Sequence, residues 1–261
     1  MRLGRLTWLL PILAGAVALW VVLEWPQSGR TDAARERLTT FVAADATGNG
    51  HDGVIQGPVR MGRQGHEGSA FSFAEDGSWV MVPSSPELNA GSRDFLVSAW
   101  IKVRSELDAG ETYDVVRKGI AYTVPGEYNL ELLAGGRVRC SAKDAKTRLG
   151  MVTTRDRLLP DGQWHRIGCA RTGRHWSVLL DDSITSAVVD LGAVSNTVAL
   201  SIGSKYGLED RPVGLLDDVK LVIGGASDPA IDPATAIRDL EAVPPVAWWR
   251  LDETASTTAR R

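Results

Sequence analysis

Cysteine is nearly absent from this chain, with two copies in 261 residues, and histidine is scarce, with four. His51, His66, His165 and His175 are scattered without ligand spacing, which argues against a zinc enzyme. No surplus of positive charge exists either: 29 Lys plus Arg face 32 Asp plus Glu, for a net charge of -3. A generally basic nucleic-acid binder is thereby excluded, because neutralising phosphates needs a Lys/Arg excess. No glycine-rich phosphate loop precedes a helix, and no Gly-x-Ser-x-Gly elbow occurs. Helical patterning is almost missing too. The one convincing helix starts with Asp232 as N-cap and Pro233 at the first turn, and runs to Leu240. What the chain holds in excess is tryptophan: nine, against four Tyr and four Phe. These indoles must be core, membrane interface or binding surface.

Residues 6–23 form 18 consecutive uncharged, mostly apolar positions, preceded by Arg2 and Arg5 and followed by Glu24. That length suits a short transmembrane helix, which needs roughly 17–25 residues. A secretory signal peptide is the rival, but its apolar stretch is typically about 7–15 residues, and Ala14-Gly15-Ala16 is followed by more apolar sequence. An uncleaved anchor is favoured, with the arginine-flanked short end in the cytoplasm. Residues 1–25 are therefore expected to be an anchor or signal segment and 26–37 a polar linker. Residues 38–261 would lie outside the cytoplasm, held at the cell membrane by the anchor, or secreted if it is cleaved. Trp8, Trp20 and Trp25 then belong to the anchor and its interfaces. Cys140 and Cys169 fall in the exported part, where an even count favours a disulfide; two buried free thiols are the other reading.

Between residues 70 and 222 the chain reads as short alternating strands. Phe95-Leu96-Val97-Ser98-Ala99-Trp100-Ile101-Lys102-Val103 is the longest. Period-two runs bounded by Gly, Pro, Asp and Asn every 10–15 residues or so are the pattern of an antiparallel sandwich. The expected fold is all-β, a two-sheet antiparallel jelly-roll sandwich with one short C-terminal helix, preceded by the transmembrane helix.

Seven pieces, in order, resemble laminin-G-like jelly-roll domains of the concanavalin A-like lectin/glucanase superfamily. They are the 45–53 loop, Ala70-Phe71-Ser72-Phe73, Trp79 to Pro83, Phe95 to Lys102, Val116 to Gly119, Leu159 to His165 and Leu215 to Leu221. The resemblance implies two sheets packed face to face, and binding or adhesion more often than catalysis. It also exposes a gap: no opening strand precedes Asp45, while residues 246–252, with Trp248 and Trp249, look like one. They are either the stub of a second domain or the strand that completes this one. The second reading is preferred, because two adjacent exposed indoles would be a costly apolar patch.

Some relatives bind calcium, which implies a Ca²⁺ site at Asp45, Asn49 and Asp217, beside Asp218. Such an ion wants six to eight oxygens. Asp217 shares alternation with Val219 and Leu221, and so is expected to point to the core and need a partner there. The alternative is that both carboxylates simply accept backbone N–H bonds. Glu106-Leu107-Asp108-Ala109-Gly110-Glu111 is similar to the catalytic run of the superfamily's retaining glucanases. Ala109-Gly110 makes a poor rigid strand, however, and a solvated acidic loop is favoured over catalysis. In the longest strand, Phe95, Val97, Ala99 and Ile101 make the better core face, which leaves Trp100 on the opposite one. Trp79 and Trp164 read as packing residues, His165 as a structural histidine, and Trp100, Trp176, Tyr206 and Tyr113 as candidate ligand contacts. The expectation is a non-catalytic module that takes a carbohydrate or a cell-surface protein as partner. A glycan hydrolase and a structural envelope accessory are the alternatives.

Overall fold

The computed structural model describes residues 41–103, 107, 111–120, 124–158, 160–208, 214–228 and 230–254. The anchor, the linker, Glu106 and Asp108 lie outside the described residues. Among the described residues no helix is long and apolar enough to cross a membrane.

In chain order the strands are β1 (Val42–Ala43), β2 (Gly53–Gln56), β3 (Arg60–Gln64), β4 (Ser69–Ser72), β5 (Trp79–Val82), β6 (Phe95–Val103), β7 (Thr112–Lys118) and β8 (Glu127–Leu133). Then come β9 (Val138–Lys143), β10 (Leu149–Thr153), β11 (His165–Thr172), β12 (His175–Leu180), β13 (Ser183–Val188), β14 (Leu200–Ile202), β15 (Gly214–Ile223), the helix α1 (Pro233–Glu241) and β16 (Ala247–Trp249). One sheet has the order β1-β2-β5-β14-β7-β8-β9-β10, and the other β13-β12-β11-β6-β15-β4-β3, with β16 added to β15. All pairings are antiparallel.

Alternation explains the core. Phe95, Val97, Ala99, Ile101 and Val103 of β6 join Val116, Leu130, Cys140 and Ile202 of the facing sheet in one buried cluster. Leu96 faces the other way, where Ile237 and Leu240 of α1 cover it together with Ala170, Leu179 and Val222. The helix begins where Asp232 accepts a bond from the Thr235 N–H at 3.0 Å, so α1 shields one end of the second sheet's outer face. Cys140 of β9 and Cys169 of β11 are joined, with Cα atoms 4.8 Å apart. The bond staples one sheet to the other, and closing a loop of this size is worth about 3–4 kcal/mol in the chain-entropy account.

β16 closes the sandwich beside β15, pairing Trp249 with Val219, Trp248 with Lys220 and Ala247 with Leu221. Trp249 is 0% exposed; its indole N–H donates to the His51 carbonyl at 2.8 Å, and its backbone bridges Asp45. The carboxyl-terminal segment thus lies between the 45–51 loop and β15.

One expected orientation is wrong. Asp217 does not share a face with Val219 and Leu221, because the β15–β6 register shifts between Asp217 and Lys220. Asp218 sits in the left-handed region at φ 50°, and this bulge adds one residue to the strand. Leu216, Val219 and Leu221 therefore face the core, while Asp217 faces outward beside Trp100.

Candidate functional site

The outer face of the second sheet is built in rows. Arg166 of β11, Trp100 of β6 and Asp217 of β15 are direct neighbours, as are Gly168, Ser98 and Lys220 in the next row. Successive rows lie about 7 Å apart, because every second strand residue shares a face. Trp100 is half-buried and lines a cavity of about 250 Å³ with Ser98, Arg166, Asp218, Lys220 and Glu241. Arg166 pairs with Glu241. Asp218 accepts the Trp248 indole N–H at 2.6 Å. Lys220 lies over the Trp248 ring, 4.3 Å from its centroid. Lys102 similarly lies 5.8 Å from the Trp164 centroid. Neither lysine has a carboxylate partner among the described residues.

The β3–β4 turn lies over this face. His66 stacks flat on Trp100, with centroids 3.6 Å apart and planes 10° from parallel, and meets Trp164 edge-on at 6.4 Å. The Asp217 carboxylate holds the turn by accepting the His66 N–H at 2.7 Å and the Glu67 N–H at 3.1 Å. Asp252 accepts the Ser69 N–H at 2.7 Å on the turn's other limb. The turn comes so close that a Cβ on Gly65 would meet the Asp217 carboxylate at 2.7 Å. Burial pushes the Asp217 carboxyl up to about 6, against the lowering pull of the two N–H donors.

The residues expected to hold calcium are not brought together. The Asp45 carboxylate accepts the N–H groups of Thr47 at 3.0 Å, His51 at 3.1 Å and Trp248 at 3.1 Å, and the Thr47 hydroxyl at 2.7 Å. Burial works to raise its pKa, and these bonds outweigh that and hold it below the usual value. Asn49 spends its amide N–H on the Val246 carbonyl at 2.9 Å. Asp217 serves the β3–β4 turn instead. The carboxylates thus already accept N–H donors of the protein, and among the described residues no group of three His, Cys, Asp or Glu gathers where it could hold a metal. The Trp248 N–H donor to Asp45 and the Val246 carbonyl acceptor of Asn49 tie the loop to the carboxyl-terminal segment, from about 200 positions away, where no local motif could announce them.

Two expected ligand contacts are structural. Trp176 is 1% exposed in β12 and packs edge-on against Phe95 at 5.6 Å, so it offers a ligand no surface. Tyr206 accepts the Gly119 N–H at 3.0 Å and donates towards the Ala199 carbonyl at 3.0 Å, while its ring meets Trp79 edge-on. Burial pushes its hydroxyl up to about 12. Tyr113 is in the core cluster. His165 is bracketed by Asp181 at 2.8 Å and Asp161 at 3.4 Å, a structural arrangement. Glu111, the described end of the acidic run, is exposed. The sequence reading missed His66, which reaches Trp100 from a turn 34 positions upstream. It also treated Trp164 as packing, although the alternation had already put Lys102 on Trp100's face.

The outer face of the first sheet carries a second polar cluster. Arg117 of β7 pairs with Asp114 and lies 3.5 Å from Glu127 of β8. Asn129 donates to Asp114 at 2.8 Å, and Arg139 of β9 pairs with Glu131 at 2.7 Å. All but Arg139 are buried. Desolvation raises the Asp114 and Glu127 carboxyls, against the opposing pull of Arg117.

No curated protein matches the chain in sequence. Solved structures do. The binding domain of Paraclostridial Mosquitocidal Protein 1 is similar at TM-score 0.55 and 14% identity, over 77% of this chain and 51% of that one. The ligand-binding domain of botulinum neurotoxin serotype D, in complex with N-acetylneuraminic acid, is similar at TM-score 0.50 and 14% identity, over 74% and 46%. The binding domain of botulinum neurotoxin DC, in complex with rat synaptotagmin II, is similar at TM-score 0.52 and 10% identity, over 75% and 48%. At such identities the likeness shows the fold, and the chain spans about half the length of the structures it matches. Residues 74–227, more than half of the chain, match a laminin-G family described as the concanavalin A-like lectin/glucanases superfamily. The two-sheet fold and this match together assign the chain: it belongs to the concanavalin A-like lectin/glucanases superfamily.

Proposed function

We propose that the chain is a non-catalytic carbohydrate-binding domain, displayed outside the cytoplasm, and that the Trp100 face is its site. The observation that carries this reading is the cavity of about 250 Å³ that sets one half-buried indole among Ser98, Arg166, Asp218, Lys220 and Glu241. Sugar rings present apolar C–H faces and a rim of hydroxyls, so an indole edged by convergent donors and acceptors suits them. The volume falls just below the roughly 300–1,000 Å³ of drug-sized sites, which favours a terminal monosaccharide unit. The superfamily's lectin members and the N-acetylneuraminic acid bound by the serotype D neighbour support a glycan. The Cys140–Cys169 bond and the apolar run at residues 6–23 support display in an oxidising compartment beside a membrane.

A protein receptor is the second reading, favoured by the edge strand β10, where Leu149 and Met151 are exposed. Edge strands offer unpaired backbone to a partner strand. A glycan array with the full chain and its Trp100→Ala variant tests the first reading. A specific glycan signal lost in the variant is expected. A signal untouched by Trp100→Ala, or none at all, overturns the assignment to this face.

A further inference from the structure

A larger cleft, of about 940 Å³, is walled by residues 49–51, residues 83–87 with Arg93, and residues 244–246. It shares no residue with the Trp100 cavity. Pro83, Pro86, Pro244 and Pro245 give it stiff apolar walls without backbone N–H groups, and no Trp, Tyr or Phe is among its lining residues. Its floor holds His51, which is 7% exposed. The His51 backbone is fixed at both ends, donating to Asp45 and accepting from the Trp249 indole. The ring Nε2, however, is shielded from water and has no hydrogen-bond partner among the described residues. Native proteins seldom leave a buried polar atom so, and each case asks for a reason.

Two cations at the cleft, Arg93 and Lys118, outnumber the one carboxylate of its lining, Glu87. Among the described residues the Arg93 guanidinium bonds only neutral carbonyls, of Asn89 at 2.9 Å and Ala90 at 3.3 Å. Behind the wall residue Ser84, the buried Lys118 ammonium donates to the Ser84 hydroxyl at 3.3 Å, the Val198 carbonyl at 2.7 Å and both oxygens of Asn196 at 3.3 Å. None of these is a carboxylate. The one carboxylate in the lining, Glu87, is engaged by the Ser85 hydroxyl. That bond is the main reason its carboxyl lies below the usual value, and the facing His51 adds to it.

We propose that this cleft is a second binding site, and that it takes an acidic oligosaccharide of the uronic-acid type. A sugar carboxylate pairs with Arg93, a ring hydroxyl meets the His51 Nε2 once the imidazole turns out towards the cleft, and further hydroxyls meet Glu87 and Ser84. The proline walls contact the ring faces. A peptide strand fits less well, because prolines remove the backbone donors that strand pairing uses. The volume, near the upper end of ordinary ligand sites, matches two or three linked sugars rather than one.

The site is independent of the Trp100 face, and the test keeps them apart. Digalacturonate and neutral galactobiose are titrated calorimetrically into the full chain and into Arg93→Gln, His51→Gln and Trp100→Ala. Arg93→Gln removes a rim group bonded only to carbonyls, and His51→Gln keeps the backbone ties; melting curves confirm that each is folded. Digalacturonate binding is expected to fall about tenfold or more in Arg93→Gln, since a charged hydrogen bond is lost. It should fall in His51→Gln and hold in Trp100→Ala. No binding to the parent chain, equal affinity for galactobiose, unchanged affinity in Arg93→Gln or His51→Gln, or loss only in Trp100→Ala each overturns the proposal.

Discussion

On the first sheet, Arg117 lies between Asp114 and Glu127, and Arg139 reaches Glu131. On the second, Lys220 and Lys102 lie over indole rings with no carboxylate partner among the described residues. Both faces carry charge, but only the second leaves it unspent. Buried ions that neutralise one another serve the fold, because each has already met its electrostatic need. A half-exposed ammonium beside an aromatic ring keeps its capacity to bond an incoming hydroxyl or anion. Polarity alone therefore does not mark a binding face; the pairing of its charges does.

The strongest way to break this contrast is Arg117→Ala. It leaves Asp114 and Glu127 buried without their cation, and a loss of about 3–5 kcal/mol is expected in urea unfolding at pH 7. A loss under 1 kcal/mol would mean that the first face is as open as the second. Removing the staple between the sheets comes next. Cys140→Ala with Cys169→Ala should cost about 3–4 kcal/mol by the same measurement, with both outer faces intact in near-ultraviolet dichroism.

Asp217→Asn is a subtler probe of the second face. The folded carboxyl titrates at about 6, above its ordinary value of 3.8, so the folded state holds its proton more tightly than the unfolded one. Its stabilising contribution is full below about pH 4 and is lost as the pH rises through 6. The amide keeps an oxygen for the His66 and Glu67 N–H groups but cannot titrate. The parent chain should thus gain stability relative to Asp217→Asn as the pH falls from 6 to 4, and parallel curves would disprove the raised carboxyl. The smallest effect is expected for Lys220→Ala. It removes a cation–π contact worth less than about 1 kcal/mol, so the melting temperature should barely move. Glycan affinity, if the Trp100 face is the site, should drop.

Much of the sandwich was legible because alternation is a local signal. In β6 the apolar set Phe95, Val97, Ala99 and Ile101 is the core face, and Trp100 is on the other. The same rule applied to β12 would have placed Trp176 beside Val178 and Leu180 in the core; its nearness to a turn invited a ligand role instead. The rule misplaced Asp217 because a single left-handed residue, Asp218, changes which face every later side chain meets. Hydrophobic pattern records the average period of a strand and hides one inserted residue. The site itself was only partly legible. Trp100 was visible, but His66, Asp252 and Trp248 reach it from distant segments, and contacts of that range leave no spacing to read.

The closure by β16 has a bearing on how the protein is made. The slot that Trp249 fills is bounded by His51, 198 positions earlier. During synthesis that slot stays empty until nearly the whole described chain has emerged, and the Val219–Leu221 stretch of β15 waits unpaired on the edge that β4 covers only at Leu215 and Leu216. Contacts so distant in sequence form slowly, and bare strand edges invite association between chains. The last strand thus acts as a timer: before it arrives the newborn domain is vulnerable, and once it docks the domain is sealed.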